Sequence, residues 1–177
     1  MRAAAVRACL REVSRLVGAA LEPHHFDPSP ALIVGDLLTR RWRRSVGWRT
    51  DAVDIAHQRV RPARLRVELR VLLPCPEGGE TWLDGTSPAS VLGSSPAYRL
   101  APVLGLLPGH GTRLARTVAA DITAALVWFE RYDTPAEALA LLRTGTTSWG
   151  RARTSATRCL ATYLESVNPA GVEELEP

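Results

Sequence analysis

Apolar and polar residues alternate one for one between positions 64 and 71, and Leu73 continues the apolar side. Leu65, Val67, Leu69, Val71 and Leu73 fall on one side, and Arg64, Arg66, Glu68 and Arg70 on the other. A period of two marks a half-buried β-strand. A less regular alternation runs through 37–48, with Leu38, Trp42, Val46 and Trp48 opposite Arg41, Arg43, Ser45 and Arg49; Arg40 and Arg44 interrupt it. Thr50 and Asp51 suit a turn, and Val53, Ile55 and His57 open a further run that ends near Val60. Connections this short predict an antiparallel meander.

Helical spacing frames the strands. Val6, Cys9, Leu10, Val13, Leu16, Val17, Ala20 and Leu21 form one apolar stripe, with Arg7, Arg11 and Arg15 as a ridge opposite, so the chain opens on an amphipathic helix. Arginines on an alanine-rich start also suit an organelle transit peptide, but Glu12 and Glu22 argue against one, and no continuous apolar run supports a secretory signal. Three prolines and the His24, His25, Phe26, Asp27 cluster make 22–30 a loop. Residues 74–111 are rich in proline, glycine and serine; 98–107, interrupted at Pro102, is the candidate fourth strand. Leu114, Val118, Ile122, Ala125, Leu126 and Phe129 predict a helix over 112–131. Thr134, Pro135, Ala136 and Glu137 form a capping box that starts another, ending before Gly145. Ser148 is placed to cap a last helix carrying Cys159, Leu160, Tyr163, Leu164 and Val167. The predicted fold is α+β: an antiparallel meander of three to five strands, packed on one face by an N-terminal helix and three C-terminal helices. It forms a single domain over 1–167, with a frayed acidic tail at 168–177.

A chain of 177 residues buries about two thirds of its unfolded surface, enough for one core without staples. No apolar run approaches the roughly 18 residues of a membrane span. Cys9, Cys75 and Cys159 are odd in number, widely spaced and lack a CxxC pair, which suits neither a disulfide framework nor a zinc site. A soluble protein of the reducing cytoplasm is expected. Lysine is absent, and ten arginines lie between 38 and 73. Guanidinium groups keep their charge, pair bidentately with carboxylate or phosphate and stack on aromatic rings.

This order of elements resembles the family known as domain of unknown function 4304. The resemblance rests on the N-terminal helix, the basic segment 40–49, the run Val53, Asp54, Ile55, Ala56, His57, Gln58, Arg59, and then 65–74. It continues in Trp128, Phe129, Glu130, Arg131 and Tyr132 ahead of the 134–142 helix, so it spans about 1–145. The chain lacks the family's paired-tryptophan segment after the fourth strand, and the helix after Ser148 stands as an addition. The resemblance implies an α+β fold and no particular activity.

Catalytic chemistry finds little foothold. Adjacent His24 and His25 point apart and, with Asp27, give only a partial metal shell, so neither metal nor cofactor is assigned. Gly109, His110, Gly111 and Thr112 match no phosphate-loop pattern and suit a helix entry capped by Thr112. Cys75 has no neighbouring histidine to activate it, and Cys9 and Cys159 lie on apolar helix faces as packing residues. No nucleophile elbow, zinc helix or kinase motif occurs. No catalytic residue is assigned, and an enzyme with an unrecognised pocket around His24, His25, Asp27 or Cys75 ranks third.

The remaining candidate is a basic sheet face of Arg41, Arg43, Arg49, Arg59, Arg64, Arg66 and Arg70, interleaved with Trp42 and Trp48. It suggests a non-catalytic bacterial accessory or immunity-like protein that binds an acidic protein partner, since arginine and tryptophan anchor interfaces. Nucleic acid is the alternative ligand, although a net charge of +4 is small for that role. The competing structural expectation pairs the arginines with Asp51, Asp54 and Glu68 and puts both tryptophans in the core.

Overall fold

Period-two segments become strands and period-3.6 segments become helices, in an order that gathers the helices on one side of a single sheet. The computed structural model describes residues 2–34, 37–58, 64–75, 78–94, 98–100, 109–144 and 154–168. Helix α1 (Arg2–Leu21) leads through a 3-10 turn into strands β1 (Asp27–Val34), β2 (Leu37–Val46), β3 (Arg49–Gln58), β4 (Arg64–Pro74) and β5 (Glu80–Thr86). All neighbours pair antiparallel in the order β1-β2-β3-β4-β5, the simplest meander. A short helix α2 (Pro88–Val91), then α3 (His110–Ala125), a 3-10 stretch Leu126–Tyr132, α4 (Pro135–Thr144) and α5 (Thr154–Val167) complete the chain. The α+β class and the meander agree with the alternation read from the sequence.

The register explains the core. Trp42, Val53 and Leu69 stand in one cross-strand row, and Val67, Val71 and Leu73 extend the same face. Cys9, Val13, Val17 and Leu21, one helical turn apart, bury the matching stripe of α1, and Val118 and Ile122 bury that of α3. α1 comes close to the sheet at Gly18, where a Cβ would lie 3.4 Å from the Trp42 indole nitrogen, at the near edge of van der Waals contact.

Four boundaries differ from expectation. The turn between β2 and β3 is Gly47–Trp48, so Thr50 and Asp51 belong to β3. Gly47 at φ 57° supplies the left-handed backbone that a two-residue hairpin requires. The loop reading of 22–30 fails from Asp27, because prolines are tolerated on an edge strand such as β1. The last strand among the described residues is Glu80–Thr86; of the expected 98–107 strand, 98–100 show one bridge, Arg99 to Arg64, and 101–107 lies outside the described residues. The helix expected over 112–131 starts at His110 and tightens to 3-10 from Leu126, and Gly109 rather than Thr112 is its N-cap.

The capping box forms as read: Glu137 accepts from the Thr134 amide at 3.0 Å, and Thr134 Oγ1 accepts from the Glu137 amide at 3.3 Å. The cap expected at Ser148 and the tail at 169–177 lie outside the described residues. None of the described helices is long and apolar enough to cross a membrane.

Candidate functional site

On the sheet face away from the helices, Asp54 of β3 and Glu68 of β4 occupy directly paired positions, an arrangement that repels unless cations intervene. Three arginines intervene. Arg41 on β2 donates Nε and Nη2 to the two Asp54 oxygens at 2.6 and 2.7 Å. Arg70 lies between the carboxylates, 3.2 Å from Asp54 Oδ2 and donating Nε to Glu68 at 3.0 Å. Arg66 closes the row on Glu68. The result is an alternating chain, Arg41–Asp54–Arg70–Glu68–Arg66, across three strands. Both carboxylates are buried beneath the guanidinium groups. Arg43 reaches Glu80 of β5 at the rim. The arginines therefore do not form the continuous cationic platform that alternation alone suggests: with Arg64 and the edge carboxylate of Asp27 included, five arginines face four carboxylates.

Accessibility splits this group. Arg41 and Arg70 are largely covered, whereas the Arg66 and Arg43 side chains are 43% and 36% exposed. Arg64 is exposed on the same strand, and Arg59 lies outside the described residues.

Arg49 does not belong with them. Because the chain reverses at Gly47, Arg49 pairs with Val46 and falls on the helix-covered face, only 4% exposed. Its Nε donates to Asp51 Oδ1 at 2.8 Å and its Nη2 to the Phe129 carbonyl at 3.1 Å. Arg44, one of the two breaks in the β2 alternation, takes the other Asp51 oxygen at 2.6 Å and stacks 4.7 Å over the Phe26 ring. Nearby, Tyr132 donates to the buried Asp84, and desolvation with that hydrogen bond pushes its phenol far above the ordinary tyrosine value. This cluster tethers the 3-10 stretch to the sheet.

The aromatic partners also move. Trp42 is buried in the core and contributes nothing to the outer surface. Trp48 sits half-buried in the hairpin turn, its carbonyl accepting from Tyr163 of α5 at 2.7 Å. The exposed tryptophan is Trp82 of β5, which sequence reasoning passed over inside a segment read as irregular. A β-bulge between Val71 and Leu72 shifts the register so that Trp82 lies opposite Leu72, on the outer face. It is 47% exposed, and the Arg70 guanidinium lies 3.6 Å from its ring centroid. A large aromatic among Glu80, Thr81 and Asp84 was the available signal.

Elsewhere the sequence candidates disperse. His25 adopts φ 62° in the turn after α1, and Phe26 anchors that turn against Phe129. Among the described residues no group of three or more potential metal ligands comes together. Cys75 and Cys159, widely spaced in sequence, meet with their sulfurs 2.7 Å apart, joining the end of β4 to α5. Cys9 stays buried, with its thiol pushed up first by desolvation and then by Glu12.

Comparison of the chain with protein-family models, curated proteins and solved structures finds no match. These comparisons assign the chain to no family.

Proposed function

We propose that this chain is a non-catalytic, cytoplasmic accessory protein of a bacterium that binds an acidic protein partner through the rim of its outer sheet face. The observation that carries the reading is Trp82, an exposed aromatic held under Arg70 and on the same face as Arg43 and Arg66. Tryptophan and arginine dominate interface hot spots. The inner ion pairs fix Arg70 and hence the tryptophan. The Arg43–Glu80 pair is solvent-exposed, and exposed pairs contribute little, so a partner carboxylate replaces Glu80 at small cost. Carboxylates already lying under the arginines, and a guanidinium occupying the Trp82 ring face, favour an acidic protein over nucleic acid, which needs open phosphate sites and free stacking surfaces.

Reversing Arg43 and Arg66 to glutamate together tests the proposal. The double variant is expected to lose the partners that co-purify with the native chain; retention of the same partners would remove the outer face from consideration.

A further inference from the structure

Two arginines interrupt the alternation of β2, and the fold accounts for only one of them. Arg44 is consumed by Asp51 and Phe26, whereas Arg40, beside Ile55 in the register, is exposed and has no ion-pair partner among the described residues. It instead lines a cleft of about 520 Å³ between α1 and the sheet, with Arg7 and Arg11 on the helix side and His57 on β3. Leu10 and Ile55 give the cleft an apolar floor. The volume is that of a small-molecule site.

Its charge is one-sided. Arg7 and Arg11 stand one helical turn apart, where like charges repel, and no carboxylate lines the cleft. The nearest acid on α1, Glu12, is engaged by Arg15 at 2.8 and 2.9 Å. On the outer sheet face the arginines are matched by carboxylates from within the chain; here three are left without one among the described residues. Three cations lining a cleft that is otherwise largely apolar suit one kind of molecule.

We infer that this cleft binds a small amphipathic anion, with a carboxylate or phosphate head held by Arg7, Arg11 and Arg40 and a short apolar body laid on Leu10 and Ile55. Arginine forks suit both heads, and the apolar floor supplies the selectivity against free inorganic anions. The site lies apart from Trp82 and the outer-face arginines, so it stands or falls independently of the proposed partner surface.

Calorimetric titration of the full chain with octanoate, octyl phosphate, octylamine and inorganic phosphate tests the inference. Octanoate or octyl phosphate is expected to bind one to one, the better of the two identifying the head; octylamine and inorganic phosphate are not expected to bind. Arg40→Gln and Arg11→Gln are each expected to weaken binding about ten-fold or more while keeping the native thermal transition, and Arg43→Gln to leave it unchanged. Failure of both anions to bind, equal binding of octylamine, or full affinity in folded Arg40→Gln and Arg11→Gln would overturn it.

Discussion

Arg41 and Asp54 face each other across β2 and β3 and share two parallel hydrogen bonds of 2.6 and 2.7 Å, with the carboxylate buried and the guanidinium nearly so. Such a pair holds cations in place, yet it cannot also serve a partner. The fork is the outermost member of the chain that fixes Arg70 and, through it, Trp82.

Removing the acid should therefore cost more than an ordinary surface change. Asp54→Ala leaves Arg41 and Arg70 each short of a carboxylate in a part-buried setting, and about 3 kcal/mol of stability should be lost, the lower end for a broken buried pair. Denaturant unfolding of the variant measures it. A loss below roughly 0.5 kcal/mol would mean that the pair behaves as a solvated surface bridge.

Alkaline stability follows from two buried phenols. Tyr132 donates to Asp84 and Tyr98 to Asp121 at 2.9 Å; burial first, then the hydrogen bond, raises both above the ordinary value. A raised folded value means that the folded state keeps a proton the unfolded chain releases near pH 10. Stability from these groups is complete below about pH 10 and drains as pH climbs through their folded values. Tyrosinate absorbance should accordingly appear together with loss of the native fold. Early titration of two tyrosines in a folded protein would contradict this.

Cys75 and Cys159 already touch, so oxidised glutathione should join them: two protein thiols and one glutathione disulfide give one protein disulfide and two reduced glutathiones. The bond would close a loop between residues 84 apart in sequence and raise stability by about 4.5 kcal/mol on the chain-entropy account. Thiol counting and mass spectrometry should find this one bridge, with buried Cys9 still reduced. Mixed glutathione adducts on both residues without a bridge would show that the sulfurs are held apart in solution.

Much of the architecture was legible because β4 alternates from Arg64 to Val71, α1 and α3 keep helical stripes, and α4 opens on a capping box. The site was less so. Parity counted straight through Gly47 put Arg49 with Arg41 and Arg43, but the hairpin turn resets the count and buries Arg49 against Asp51. A bulge in β5 did the same for Trp82, and bulges leave no local composition mark. Pairing of cations with carboxylates two strands away depends on register, which a single segment does not contain. Arg40 was the opposite case: its break in the alternation was visible from the start, and only the fold reveals that it faces a cleft.

The five tryptophans offer the most direct check on the partner surface, since each indole N–H gives a separate NMR signal in the labelled protein. Titrating the full chain with poly-glutamate at low salt should move the Trp82 signal saturably, leave those of buried Trp42 and Trp128 in place, and have no effect on an Arg43→Glu/Arg66→Glu variant. An unmoved Trp82, the same shift in the reversed variant, or a Trp82 that responds to single-stranded oligonucleotide but not to poly-glutamate would contradict binding of an acidic protein at this face.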